Sequence, residues 1–246
     1  MDRFLESLVT NHLKRKSVLH SISSFSRMSD LRFKFPFSWL VTGGSGSGKT
    51  THVFKFLSHI KSMSDNEKCE NIIYFYNQWQ TIFDVHKHLV SQFVQGLPTL
   101  EEIKRCTEDS SATGSLIVID DFAHAVNADI LQLFTVYRHH GNCSVILLSQ
   151  NLFDQNKNFR PISLNSQYIT VFKNPRDKAQ IHAFAKQFYP TNPKYVVRSY
   201  EEATKAPYSY VLFDNHQTTP DHLRMRSKIF KHQQPMIVWL PKNSSG

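Results

Sequence analysis

Residues 38–51 read SWLVTGGSGSGKTT, and the fold turns on how this stretch is read. Ser38 to Thr42 is a short apolar run entered through Pro36, as a buried strand would be. Residues 43–51 hold four of the eight glycines of the chain. An ordinary turn needs one or two glycines, so this density implies a loop that wraps closely around something. Lys49 to Lys61 then carries Val53, Phe54, Leu57 and Ile60 at helical spacing. Strand, glycine-rich loop and helix follow in that order, and Gly43-x-x-x-x-Gly48-Lys49-Thr50 matches the P-loop pattern in full.

Each part of that pattern has a physical reason. A triphosphate is a dense anion, and successive backbone N–H groups bent into a concave nest point at its oxygens. Glycines permit the bend and keep Cβ atoms out of the way. The helix that starts at the nest adds its positive dipole end. Gly44, Ser45, Gly46, Ser47, Gly48, Lys49, Thr50 and Thr51 are therefore the expected nucleotide-binding residues. Lys49 would reach the β- and γ-phosphates, and the Thr50 hydroxyl would meet Mg²⁺. The implied cofactors are ATP and Mg²⁺.

A P-loop site needs an acid at the end of a neighbouring core strand. Leu116 to Ile119 (LIVI) is wholly apolar, suits the middle of a parallel sheet, and ends in Asp120-Asp121. Asp120 is expected to hold Mg²⁺ through water, and Asp121 to polarise the attacking water as a base. Many ATPases of this type carry Glu at the second position; Asp is one methylene shorter and must hold the water closer to the backbone. Ser144 to Ser149 (SVILLS) is a further apolar strand, and Gln150 at its end can touch both γ-phosphate and water. Lys49 and Asp120 are separated by one strand in sequence, Asn71 to Tyr76. This spacing suggests an extra strand between the P-loop strand and the acid strand, as in ATPases that do mechanical work.

The remaining strands are expected at Gln167–Phe172 and Tyr208–Phe213. Helices are expected at about 81–92, from Thr99, and over 127–140, 177–189 and 194–205. Alternating strands and helices imply an α/β fold with a mostly parallel sheet, a RecA-like P-loop NTPase of the additional-strand type. The division reads as an N-terminal arm (1–30), an ATPase core (31–214) and a basic C-terminal extension (215–246).

The net charge of +9 is uneven. Residues 31–150 hold 10 Lys/Arg against 11 Asp/Glu, whereas residues 151–246 hold 14 against 6. A basic second half suggests a polyanionic partner. Cys69, Cys106 and Cys143 lie far apart without a CxxC pair and read as free thiols of a reducing compartment. No apolar run approaches the roughly 18 residues of a membrane span.

Taken together, the P-loop, the LIVIDD strand end and SVILLSQN resemble the FtsK/HerA-type ATPases. They are most similar to the DNA-packaging ATPases of large DNA viruses and of polinton-type elements, adintoviruses included, with the poxvirus packaging ATPase a more distant relative. The resemblance spans roughly residues 31–230. It includes Phe33-Lys-Phe-Pro36-Phe, His139-His140, Ile162-Ser-Leu-Asn165 and Phe172-Lys-Asn-Pro-Arg-Asp177. It implies an ATP-hydrolysing motor that threads double-stranded DNA, without reading its sequence, into a preformed capsid. The motor would be a homo-oligomeric ring, hexamer or pentamer, with a capsid or portal contact, acting in the host cytoplasm, the nucleus or the virion. Ring motors commonly send an arginine into the neighbouring site; Arg138, Arg160 and Arg176 are the candidates, with Arg176 favoured because it follows a core strand by a short turn. Many of these ATPases carry a basic residue where Gly141 stands; His139-His140, with no matching Cys/His set for a metal, are read as structural or DNA-adjacent. Lys173, Arg176, Lys178, Arg224, Arg226, Lys228 and Lys231 are the candidates for backbone contacts with DNA. The alternatives are a helicase or translocase of the same superfamily, a small-molecule kinase, or a nucleotide-switched assembly protein that hardly turns over.

Overall fold

The computed structural model describes residues 19–20, 31–122, 125–137, 141–154, 156–233 and 235–241. Most of the expected N-terminal arm, and Arg138, His139 and His140, lie outside them. The described strands form one ten-stranded sheet. In chain order they are β1 (Leu19–His20), β2 (Ser38–Thr42), β3 (Asn71–Tyr76), β4 (Gln92–Gln95), β5 (Ser115–Asp120), β6 (Cys143–Ser149), β7 (Tyr168–Phe172), β8 (Tyr210–Asp214), β9 (Met225–Ser227) and β10 (Ile237–Trp239). Across the sheet the order is β1-β10-β9-β8-β7-β2-β6-β5-β3-β4.

The six strands from β7 to β4 run parallel. The remaining four attach antiparallel beyond β7. Every residue of β2, β5, β6 and β7 is buried. That is what both faces of a parallel sheet demand when helices cover them, and it explains the unbroken apolar runs.

Period-two alternation sorts these runs between two cores. Trp39, Val41, Leu116, Val118, Ile146 and Leu148 face one side. There they meet Val53, Phe54, Phe56 and Leu57 of helix α1 (Lys49–Leu57). This core is rich in aromatic rings: Phe56 packs against Trp39 with centroids 5.0 Å apart and against Phe33 at 4.9 Å. Leu40, Ile117, Ile119, Val145 and Leu147 face the other side. Five helices cover that face, namely α4 (Leu100–Thr107), α5 (Ala128–Gln132), α6 (Phe159–Asn165), α7 (Ala179–Phe188) and α8 (Pro193–Ala203). Short helices α2 (Ile60–Met63) and α3 (Thr81–His86) complete the α1 layer. All three cysteines are free thiols.

The fold class is as expected, and three particulars differ. The inserted strand lies between β2 and β5, yet it is β6 and not Asn71–Tyr76; β3 lies on the far side of β5. Sequence order suggested β3, but spatial order is set by the crossovers. The helix expected over 81–92 ends at His86, continues as a tight turn over Lys87–Leu89, and gives way to the edge strand β4. The 214/215 boundary falls inside the sheet, because β8 pairs with β9 and β9 with β10.

Candidate functional site

β2 ends at Thr42, and the chain turns at once into the loop. Its first amide is tied to the neighbouring strand: Gly43 N–H donates to Ser149 O at 3.2 Å. A Cβ on Gly43 would fall 2.6 Å from Phe172 Cβ and 2.7 Å from Ser47 Oγ, so glycine is required by the close approach of β7. Gly48 adopts φ 98° at the N-cap of α1, where no side chain caps the helix. The first N–H groups of α1 are therefore left for a ligand.

The loop fits a phosphate chain. The Ser47 hydroxyl is buried without a hydrogen-bond partner. Lys49 Nζ is held over the loop, donating to Gly43 O at 2.7 Å and Gly44 O at 3.1 Å. Burial lowers the Lys49 pKa, and the charges of Asp120 and Asp121 work against that shift. A cavity of about 660 Å³ opens above the loop and the first turns of α1.

The acid pair arrives from β5. Asp120 is 4% exposed. Its Oδ2 accepts from Thr50 Oγ1 at 3.2 Å and from Tyr74 Oη at 2.7 Å. Burial raises the Asp120 pKa, and the bonds from Tyr74 and Thr50 oppose the rise. Thr50 and Asp120 together offer a hydroxyl and a carboxylate at one point beside the P-loop, a hard-oxygen set suited to Mg²⁺. Tyr74 was not singled out by the sequence. Its signal was a tyrosine inside the buried run NIIYFY, whose hydroxyl must find a partner. Burial and the neighbouring carboxylate raise the phenol pKa well above its ordinary value, so it stays a donor.

Asp121 leaves the strand with φ 68°. Asp tolerates this left-handed conformation better than most residues, and such outliers gather at working sites. Here it turns an exposed carboxylate toward Gln150, whose Nε2 donates to Asp121 Oδ1 at 3.3 Å. Gln150 is in position because β6 lies beside both β2 and β5. Lys49, Thr50, Asp120, Asp121 and Gln150 thus converge from three adjacent strands.

Among the described residues, the candidate arginines Arg160 and Arg176 do not converge with them. Arg176 sits in the turn after β7, exposed, with its backbone N–H donating to Asn174 Oδ1 at 3.1 Å. Among the described residues its guanidinium has no bond to the site. Arg160 is exposed on α6. Three candidates for DNA contact are otherwise engaged. Lys173 Nζ donates to Lys205 O at 2.7 Å. Arg226 is 1% exposed and donates to Asp214 Oδ2 at 2.5 Å. Arg224 donates to Asp221 Oδ1 and to the carbonyls of Asp214 and His216. A count of charges cannot separate a buried ion pair from a basic surface. Lys178, Lys228 and Lys231 are exposed.

With this geometry in place, the relationship to known proteins becomes definite. A family model described as the poxvirus A32 protein matches residues 22–165. The chain belongs to the poxvirus A32 family. It is similar in structure to the genome packaging NTPase B204 from Sulfolobus turreted icosahedral virus 2 in complex with ATP-gammaS. That match has a TM-score of 0.52 at 17% identity and covers 78% of this chain and 95% of that one. The same NTPase in complex with AMPPCP matches with a TM-score of 0.51 at 16% identity, covering 75% and 95%. At such identities the likeness establishes the fold. No curated protein matches the chain. The A32-family chain is a P-loop ATPase of the viral packaging, FtsK/HerA type.

Proposed function

We propose that this A32-family ATPase is the subunit of a homo-oligomeric ring that moves double-stranded DNA into a capsid. The observation that carries the reading is the convergence of Thr50 with Asp120 and of Gln150 with Asp121 beside the P-loop. A switch that hardly turns over has no need of a base and a polar sensor on two adjacent strands; a hydrolysing motor has. Lys49 and the loop amides hold the β- and γ-phosphates. Thr50 and Asp120 hold Mg²⁺, which offsets the charge on those phosphates. Asp121 orients the attacking water and accepts its proton. Gln150 bridges that water and the γ-phosphate, and it hydrogen-bonds the base itself.

A cation at the outer side of the γ-phosphate would come from the next protomer, with Arg176 the candidate to supply it. Its place on a short turn after a core strand lets a rigid element aim it. The exposed Lys178, Lys228 and Lys231 give DNA phosphates a sequence-independent hold, with affinity falling steeply as salt rises. Among the described residues no helix is long and apolar enough to cross a membrane. Action in host cytoplasm, nucleus or virion is consistent with this.

The test is ATP hydrolysis with and without long double-stranded DNA at low salt, for the native chain, Lys49→Ala and Asp121→Asn. DNA-stimulated turnover is expected, lost in both variants, with nucleotide binding kept in Asp121→Asn. Unstimulated turnover, or turnover surviving Asp121→Asn, would refute the assignment.

A further inference from the structure

The cavity over the P-loop is larger than a phosphate chain needs. It continues past Thr51 and Lys55 to Tyr208, Phe230 and Gln233. We propose that Tyr208 and Gln233 form the nucleobase half of the site, Tyr208 stacking on a purine ring and Gln233 donating to its ring nitrogens. The inference rests on the ATPase reading and specifies which residues recognise the base.

Tyr208 is 70% exposed, although a tyrosine ring of that size normally covers something. Its backbone is left-handed at φ 59°, in the turn that precedes β8. A left-handed tyrosine persists only where its surroundings fix it. Here the ring lies against the phosphate loop: Cδ1 is 3.6 Å from the point where a Gly48 Cβ would stand. One flat face is thus presented to the cavity within reach of the phosphates.

Gln233 is oriented by a relay behind the cavity wall. Ile229 N–H donates to Tyr210 Oη at 3.1 Å, and Tyr210 Oη donates to Gln233 Oε1 at 2.7 Å. The carbonyl side of the amide is spoken for, and both Nε2 hydrogens lack a partner among the described residues. A fixed donor at the cavity edge suits the ring-nitrogen acceptors of a purine. Buried Phe230, edge-on to His52 at 4.9 Å, closes the back wall.

The test compares two ligands with Mg²⁺ by calorimetry on the full chain: ATP, which has a base, and inorganic tripolyphosphate, which has none. Tyr208→Ala is expected to weaken ATP about 10-fold or more and tripolyphosphate less than about 2-fold, because stacking acts on the base alone. Tyr208→Phe keeps ATP affinity. Gln233→Ala weakens ATP by about 3- to 10-fold, as loss of one hydrogen bond does. Equal weakening of both ligands in Tyr208→Ala would mean that the ring merely supports Gly48, and would overturn the proposal; so would an unchanged ATP affinity. A native chain that binds neither ligand would overturn the ATPase reading itself. The exposure of Tyr208 makes misfolding of its variants a minor concern, and their thermal unfolding temperature checks it.

Discussion

Replacing Tyr74 with Phe removes one oxygen atom and tests how the metal-binding carboxylate is held. The Tyr74 ring is fully buried and stacks on Phe54 with centroids 5.3 Å apart and planes 2° from parallel, contacts that Phe keeps. What is lost is the 2.7 Å donation to Asp120 Oδ2. Asp120 is then left with the Thr50 hydroxyl at 3.2 Å. A hydrogen bond to a buried charged group is worth about 1.5–3 kcal/mol. A loss of about 2 kcal/mol corresponds to roughly 4–8 °C in Tm for a chain of this size. The sign of the pH dependence follows from which form the bond favours. Tyr74 stabilises the ionised carboxylate, so its removal raises further an Asp120 pKa that burial has already raised. The gap between native and variant is therefore full where Asp120 is ionised in both. It narrows as pH falls through the variant's raised pKa and then the native one. Differential scanning calorimetry without nucleotide, from neutral to mildly acid pH, reads both features. Equal Tm values at pH 7, or a gap that widens toward acid, would show that Tyr74 does not hold the Asp120 carboxylate.

Asp120→Asn is expected to stabilise the nucleotide-free chain at neutral pH while abolishing Mg²⁺-dependent hydrolysis. Because burial raises the folded-state pKa, native stability falls as pH climbs from the unfolded value of about 3.9 through the folded one, and Asn has no such fall. Melting curves over that window decide it, and a variant less stable than native at pH 7 would refute the argument. Arg226→Met strands the Asp214 carboxylate, which is 2% exposed, and should cost about 3 kcal/mol or more in urea unfolding. The salt dependence of DNA binding should not change, since a buried guanidinium meets no phosphate; a shallower slope would return Arg226 to the DNA surface.

Legibility in the sequence followed chain locality. The P-loop, Asp120-Asp121 and Gln150 were readable because each sits beside an unbroken apolar strand, and parallel strands buried on both faces must look that way. Which strand was inserted was not readable, since β6 reaches its place only through crossovers that no local pattern encodes. β4 was hidden because Gln92–Gln95 is a half-exposed edge, and β9 and β10 because three residues show no alternation. Tyr74 and Arg226 were missed or misread for one reason. Both are polar groups on buried strands whose partners, Asp120 and Asp214, lie 46 and 12 residues away.

The same non-local bonding joins hydrolysis to the turn that carries Arg176. Past Gln150, the chain is anchored by Gln180: its Oε1 accepts from Leu152 N at 2.7 Å, and its Nε2 donates to Asn151 Oδ1 at 3.4 Å. That Nε2 also donates to Asp177 Oδ2 at 2.7 Å, and Asp177 is the neighbour of Arg176. On the other side, Tyr200 Oη donates to Phe172 O at 2.8 Å and accepts from Asn174 N, which fixes where the turn leaves β7. Phe172 is the residue that crowds Gly43. The Arg176 turn is therefore tied to the segment after Gln150 through Gln180 and to the P-loop through β7. A displacement of Gln150 or of the loop cannot leave it in place without straining these partly buried bonds. An arginine meant to act on a neighbouring subunit in step with its own site would need both attachments.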